Sequence, residues 1–438
     1  MNSIKVCLWS VVLVYITSSW SQLYDCSDGR FREFGKYQVE QLATDVKYSD
    51  TKNRDGAPLS LALDIFGPEG DNLEKRPLVL VLHGGSFIQG SRQDVEETAN
   101  LLASLGYVTA TVSYRIGIRI TDIFLGLLDS VLAAEAVAMA TQDLNTVIRW
   151  FRKGAAEDGN PYNIDPDLIF AVGFSAGAFM CNFSQYMNKE ARIPDYIDMT
   201  KPGLVDGGLS SNNSGRDEYP FTLTAVATFA GAIYDTLWME AHSTANAIFH
   251  AVDDEVVPYH HDVITIRGTP LLQLHGGYSM QLRAANTGMK HCWHEWKGNE
   301  GGGHIELTAE GERISANITR NLFGHYVCGV VLECDGNAPM PTELDPNIRP
   351  TQSMIHSRNR LKVFFNRKNH SFSLDLSGFT DQEAVVSMYD ISGTRLHRET
   401  VDVGIYTIRP GQLSRGIYFV QVCDGLQKAT VKWVIKGD

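Results

Sequence analysis

Leu168-Ile169-Phe170-Ala171-Val172-Gly173-Phe174-Ser175-Ala176-Gly177 runs from an unbroken apolar stretch straight into Gly-x-Ser-x-Gly. Such a run predicts a buried strand, a sharp turn with a serine at its tip, and then a helix. The glycines answer a steric need. A serine on so tight a turn sits in a strained backbone, and the positions two residues away must carry little side chain if strand and helix are to pack closely. Ala176 and Ala178 keep the helix side small as well. The motif alone is common, because glycine and serine are common. Three further segments, in a fixed chain order, give it meaning.

Upstream, Pro77-Leu78-Val79-Leu80-Val81-Leu82 reads as a strand buried on both faces and leads into His83-Gly84-Gly85-Ser86-Phe87. Backbone N–H groups in such a turn can point at an oxyanion. The candidate donors are Gly85 and Ala176, the residue after the serine, with Ser86 the alternative to Gly85. Downstream, Ala247-Ile248-Phe249-His250-Ala251-Val252 ends in Asp253-Asp254-Glu255-Val256-Val257-Pro258. A carboxylate just past a strand end can orient an imidazole and stabilise its cationic form. Asp254 is the candidate acid and Asp253 the turn former, although the two share the same chemistry. Last comes Gly301-Gly302-Gly303-His304, followed by a helix-like pattern through Ile314, Ile318 and Leu322. The chain has 13 histidines. His275 lies in a second His-Gly-Gly with no long apolar strand before it, and His291 and His294 flank Cys292-Trp293 in what reads as the last strand. His304 is preferred because it completes the order Ser, Asp, His.

The region around these motifs alternates strands and helices. Val39 to Tyr48 and Ser60 to Phe66 read as opening antiparallel strands, Val95 to Leu105 as a helix, Tyr107 to Tyr114 as a strand and Ala133 to Lys153 as a long helix. Phe221 to Phe229 and Ala245 to Ala251 read as further strands. The fold class is therefore α/β, a mostly parallel sheet covered on both faces. Arg115 to Ala133 reads as a pocket-wall helix and Asn188 to Pro220 as a loop-rich flap, the alternative being an ordinary packing helix and a solvated loop. Phe87, Phe174, Trp238, Tyr259 and Trp293 are candidates for an aromatic pocket lining, with core packing the alternative for each.

Residues 1–21 have the Lys5 n-region, apolar h-region and Ser19-Trp20-Ser21 of a signal peptide. The apolar run is too short to span a bilayer, so no transmembrane anchor is expected. Seven cysteines are present. Beyond Cys7, six remain in a chain whose export permits disulfides, and sequence does not choose among their pairings. A bridge from Cys26 to Cys328 or Cys334 would tie the ends of the α/β region, and closure of Cys328 with Cys334 is its rival. Neither Cys-x-x-Cys nor His-Glu-x-x-His occurs, so no metal site is expected, and nucleophilic catalysis by a serine calls for no cofactor. At 438 residues, two domains are allowed. The α/β domain is read as 22–334, and proline-rich 335–357 as a linker. Residues 358–438 are read as a small all-β sandwich with strands at Leu361 to Phe365, Ser371 to Leu376, Val385 to Tyr389, Ile417 to Val422 and Ala429 to Ile435. Residues 351–438 carry a net +4 within a chain of net −13, leaving −17 on the rest. That acidic balance argues against nucleic acid as a partner.

His83 to Phe87, Gly173 to Gly177, Asp254 to Pro258 and Gly303-His304 together resemble a secreted bacterial serine esterase of the α/β-hydrolase superfamily. Within it, residues 35 to 325 are similar to carboxylesterases with a His-Gly-Gly-x-Phe oxyanion loop, related to feruloyl-esterase-like and dienelactone-hydrolase-like enzymes. The resemblance implies an α/β-hydrolase fold and hydrolysis of a carboxylic ester, small or polymeric. It implies Ser175 as nucleophile, His304 as general base and then acid, and Asp254 as its orienter. Ser86 departs from the third glycine of many lipases and esterases, which leaves the oxyanion donor open. Rival functions are a peptidase of the prolyl-oligopeptidase type, whose repeat propeller has no counterpart here, and a non-catalytic binding protein. Val386-Ser387-Met388-Tyr389-Asp390-Ile391-Ser392-Gly393, Gly416 to Val422 and Lys428 to Lys436 resemble the C-terminal sorting domain of type IX secretion cargo from Bacteroidetes-type bacteria. That implies the type IX machinery as a partner and a destination outside the cell or on its surface. A carbohydrate-binding sandwich is the alternative.

Overall fold

The computed structural model describes residues 24–188, 192–204, 219–266 and 268–343, and beyond them strand segments between 362 and 435. The signal-peptide reading of 1–21 lies outside the described residues, as does most of the proposed flap, 189–191 and 205–218. In chain order the first unit contains β1 (Val39–Lys52), β2 (Pro58–Pro68), β3 (Arg76–Leu82), α1 (Glu96–Ala103), β4 (Val108–Val112), α2 (Ile120–Phe124), α3 (Ser130–Glu157), β5 (Ile164–Phe174), α4 (Ala176–Tyr186), β6 (Ala225–Phe229) and β7 (Ala232–Ile233). It continues with β8 (Ala245–Ala251), β9 (His261–Ile266), β10 (Thr269–Gly276), α5 (Gly277–Thr287), β11 (His291–Trp296), β12 (Gly301–Gly302), β13 (Glu306–Leu307) and α6 (Ala309–Cys328).

Eight strands form one sheet in the order β1-β2-β4-β3-β5-β6-β8-β11. β2 is antiparallel to both neighbours, and every pair from β4 to β11 is parallel. The continuous apolar strands require this burial on two sides, since alternate side chains point to opposite faces. In β3, Leu78, Leu80 and Leu82 join the core under α3 and α4, with Val147, Ile148, Phe179 and Phe183. Val79 and Val81 join the opposite core, under α1 and α6, with Ala99, Leu102, Ile318 and Leu322. The chain leaves β3 for β4 on one side and leaves β5 for β6 on the other, although β3 and β5 pair directly. A crevice opens at such a switch point, beyond the carboxyl ends of the two strands. His83 follows one end and Ser175 the other.

Where the pocket-wall helix is expected, Arg115 to Ala133, the structure has the short α2 inside irregular backbone, and α3 begins only at Ser130. Packing explains the break. A Cβ on Gly117 would lie 2.5 Å from the Ala136 Cβ, so the chain hugs α3 there. Asp122 then ties the loop: its carboxylate accepts from Arg54 and from the Arg119 N–H, and its carbonyl from Leu127. Asp129 caps α3 by accepting from the Leu132 N–H at 2.8 Å. The hairpin of β9 and β10 was not expected either; β10 runs through His275, but with Thr269, Pro270 and Gln273 exposed it is not a fully buried apolar strand like β3 before His83. Of the flap, 192–204 is irregular.

Arg115, 2 % exposed, leaves β4 into a buried polar network. Its guanidinium pairs with Asp143 of α3 at 2.8 Å and donates to the carbonyl of Met139 and to Gln142 Oε1. The Arg115 N–H also donates to Asp143 Oδ2. A buried ion pair of this kind adds little over apolar packing, but losing one partner strands the other charge. Asp143→Ala is therefore expected to destabilise the first unit by about 3–5 kcal/mol. Denaturant titration of wild type and variant measures this, and a loss below about 1 kcal/mol would contradict the network's role.

Cys26 is bridged to Cys328 and Cys292 to Cys334, while Cys181 is free and buried. The first bridge ties the two ends of the α/β unit, and the Cys328–Cys334 closure does not form. The linker reading of 335–357 begins, in the structure, on packed chain: Met340 is 5 % exposed, Arg32 donates to its carbonyl, and Asn317 donates to the Gly336 carbonyl. Contacts divide the chain into two compact units between Ser353 and Met354.

The second unit consists of β14 (Lys362–Asn366), β15 (Ser371–Asp375), β16 (Glu383–Asp390), β17 (Arg395–Asp402), β18 (Ile405–Ile408), β19 (Gly416–Cys423) and β20 (Lys428–Ile435). They form two antiparallel sheets, β14-β15-β18 and β17-β16-β19-β20. Val386 and Met388 are buried. The strands β17 and β18 had no counterpart in the sequence reading.

Candidate active site

Ser175 stands at the tip of the turn between β5 and α4 with φ 51° and ψ −112°. The strain is held from both sides: its N–H donates to the Phe229 carbonyl at 2.8 Å, and its own carbonyl starts α4 by accepting from Phe179. The flanking glycines are needed for space. A Cβ on Gly173 would come within 2.4 Å of the Gly177 carbonyl oxygen, and one on Gly177 within 2.4 Å of the Leu82 carbonyl oxygen. Close approach of α4 to β5 thus depends on the first, and of α4 to β3 on the second.

The turn after β3 passes beside the serine. A Cβ on Gly84 would lie 3.3 Å from the Ser175 Cβ. Gly85, Ser86 and Phe87 all have positive φ, at 112°, 55° and 58°. The loop is braced by a second layer that the sequence reading missed. The His83 Nδ1–H donates to the Gly84 carbonyl at 2.7 Å, a tautomer set by that acceptor. Burial pushes the His83 imidazole down in pKa, which favours its neutral form. Its ring stacks on Tyr114 at 4.2 Å, and the Tyr114 hydroxyl donates to the His83 carbonyl at 2.8 Å. Among the described residues, the N–H groups of Gly85, Ser86 and Ala176 donate to no acceptor within the protein. Both candidate donors and the alternative are available to a ligand.

His304 sits at the tip of the β12–β13 hairpin, whose strands pair Gly301 with Leu307 and Gly302 with Glu306. Its Nε2 accepts from the Ser175 hydroxyl at 2.7 Å, and its Nδ1–H donates to Asp254 Oδ2 at 2.9 Å. Ser175, His304 and Asp254 therefore form one hydrogen-bonded line, although 129 and 50 residues of sequence separate its members. The neighbouring Asp253 takes a different place: its Oδ1 accepts the Gly303 N–H at 3.0 Å and anchors the hairpin. The three rival histidines are engaged elsewhere. His294 pairs with Glu300, His291 with the Met289 carbonyl, and His275 stacks on His261.

The Asp254 side chain is fully enclosed. Burial alone would raise its pKa, but hydrogen bonds from His250, His304 and the Val257 N–H outweigh it and hold the carboxyl at about 2. Of the aromatic candidates, Phe87 packs edge-on against Tyr114 and Phe179. Phe174 lies on Phe229, Trp238 beside Phe183 and Tyr234, and Tyr259 with Tyr278 and Trp293. None of these contacts assigns an aromatic residue to a pocket wall.

Residues 63–247 match the BD-FAE family, and residues 362–436 match the secretion system C-terminal sorting domain. Among curated proteins, a non-reducing polyketide synthase of Emericella nidulans is 31% identical over 29% of this chain and 5% of its own length. Neuroligin-2 of Homo sapiens is 33% identical over 30% of this chain and 14% of its own. The chain thus spans a small fraction of these curated relatives. Among solved structures, a propionate-bound thermophilic esterase of Thermogutta terrifontis is similar at 18% identity, with 65% of this chain and 93% of that chain covered and a TM-score of 0.44. The same esterase phosphorylated by paraoxon gives 17%, 66%, 94% and 0.42.

Proposed function

From a chain that carries a BD-FAE domain of the α/β-hydrolase esterase family and a type IX secretion sorting domain, which directs it to the cell surface or beyond, we propose a secreted serine hydrolase of carboxylic esters. The observation that carries this reading is His304 bridging Ser175 at 2.7 Å and Asp254 at 2.9 Å. In the proposed reaction the Ser175 oxygen forms a bond to the ester carbonyl carbon as its proton passes to His304 Nε2. The carbonyl π-electrons move to oxygen, which rests on the N–H groups of Ala176 and Gly85, with Ser86 the alternative to Gly85. The C–O bond to the alcohol then breaks as His304 returns the proton to the leaving oxygen. Water then bonds to the acyl carbon as the same imidazole takes its proton, and the Ser175 O–C bond breaks as His304 returns that proton to the serine oxygen, releasing the acid. Asp254 keeps His304 in the Nδ1–H tautomer throughout.

Two features bear on the substrate. The Ile118 N–H donates to the Phe87 carbonyl, so the loop after β4 is fastened to the oxyanion turn. That loop exposes Ile120, Phe124, Leu125 and Leu127, each more than half accessible. An apolar rim joined to the site suits acyl or aromatic esters, and export to the cell exterior favours polymer-borne ones such as feruloyl or acetyl esters or polyesters. Hydrolysis of p-nitrophenyl esters from acetate to palmitate, together with labelling by a fluorophosphonate, tests the reading. Turnover and a single label on Ser175 are expected. A folded chain that neither turns over any ester nor takes the label would refute it, and cleavage of peptides alone would replace it with a peptidase.

A further inference from the structure

The second His-Gly-Gly, His275-Gly276-Gly277, plays no part in the proposed reaction, yet it closes on the segment that carries Asp254. A Cβ on Gly276 would lie 1.6 Å from the Pro258 carbonyl oxygen, and one on Gly277 would lie 2.7 Å from His250 Nδ1. Side chains are excluded here, and backbone amides do the holding. The Gly276 N–H donates to the His260 carbonyl at 2.6 Å and the Tyr278 N–H to the Tyr259 carbonyl at 3.1 Å. The Gly277 N–H donates to His250 Nδ1 at 3.1 Å.

That last bond fixes a tautomer. His250, at the end of β8, has no exposed surface. With Nδ1 accepting, its proton lies on Nε2. Nε2 faces Asp254 Oδ2 at 3.2 Å and the Val257 carbonyl at 3.1 Å. Oδ2 is the same oxygen that accepts from His304. The other oxygen, Oδ1, is held by the N–H groups of Val256 and Val257 at 2.8 and 2.9 Å. A carboxylate rotates through a broad, shallow torsional well. Two donors on Oδ1 fix one end. His304, on a hairpin tip, is the group to be oriented and cannot also be the anchor for Oδ2.

We infer that His250 is a positioning residue for the proposed hydrolysis: the Gly277 amide holds it as the Nε2–H tautomer, and that N–H sets the plane of Asp254 toward His304. The kinetic side of this inference rests on the esterase reading. A purely architectural His250, joining β8 to the start of α5, would need only its Nδ1 bond. The two roles separate by substitution. Asparagine places an oxygen near Nδ1 and keeps the Gly277 bond. Glutamine places an N–H near Nε2 and keeps the Asp254 bond.

The test uses the full chain and its H250Q and H250N variants. It reads kcat and KM on p-nitrophenyl acetate, thermal melting, and the far-downfield proton resonance of the His304 Nδ1–H···Asp254 bond. H250N is expected to lose about 10- to 100-fold in kcat with KM little changed, and to lose or broaden the resonance. H250Q is expected to stay within about threefold of wild type and to keep it. Wild-type kcat and an intact resonance in H250N would overturn the inference, as would equal losses in both variants that track melting temperature. If wild type hydrolyses no ester, the esterase reading fails and the resonance alone decides the positioning. If neither variant folds, 15N shifts of the wild-type histidines decide, because an Nδ1–H tautomer at His250 overturns the inference directly.

Discussion

Replacing Ser175 with alanine is expected to lower kcat on p-nitrophenyl esters by about 10⁶-fold while leaving KM and stability nearly unchanged. The size follows from the unit Ser175 belongs to. In the proposed reaction its oxygen forms the new bond, and without it His304 would have only water to activate, so the variant would retain only what the oxyanion donors and binding supply. The fold should tolerate the change. Alanine has the same difficulty with φ 51° as serine, so no strain is added or relieved. The hydroxyl's only polar partner among the described residues is His304 Nε2, whose side chain is 19 % exposed and can turn to water. The loss should therefore stay below about 1 kcal/mol. Paired kinetics and melting curves check both halves. Residual turnover above about 1 % of wild type would mean another nucleophile, and a collapse in melting temperature would mean that Ser175 serves the turn as well.

The parts of this molecule that were legible in sequence are those where sterics leave few alternatives. Gly173 and Gly177 announce the turn because any Cβ there strikes backbone. The apolar runs of β3 and β5 read plainly because both faces are buried, and the order Ser, Asp, His carried the three side chains that the structure brings into line. The hidden parts depend on exposure or on long-range contact. β9 is an edge strand with Val263 39 % exposed, and β17 turns Leu396 outward, so neither shows apolar alternation. Nothing local in Arg115 to Ala133 announces that Gly117 must clear Ala136. The supports of the site were the least legible. His83 and His250 act through ring nitrogens bonded to backbone, and the Gly277 amide that fixes His250 lies 27 residues away. The repeated His-Gly-Gly was the one available signal, and its meaning required knowing what the second copy touches.

Asp254→Asn should cost about 10⁴-fold in kcat, the second largest effect expected, and for a reason of tautomers rather than charge alone. Oδ1 accepts two backbone N–H groups, from Val256 and Val257. In the variant the amide oxygen must stay there, since an NH2 in that place would face two donors. The NH2 then occupies the Oδ2 position and points at His304. It donates to Nδ1, forces the ring proton onto Nε2, and leaves Ser175 facing an N–H that cannot take its proton. His250 Nε2–H also loses its carboxylate but keeps the Val257 carbonyl, so the variant should fold. Asp253→Asn is the control. It retains an oxygen for the Gly303 N–H and should stay within about threefold of wild type. A reversal of the two effects would transfer the orienting role to Asp253. The same substitution has a signature in stability against pH. The Asp254 carboxyl is held at about 2, below its ordinary 3.8. Its contribution is therefore complete above about pH 4 and is lost as pH falls through 2. Wild type should lose more melting temperature than the asparagine variant across that interval, and equal losses would mean that Asp254 is not held as a carboxylate by the donors around it.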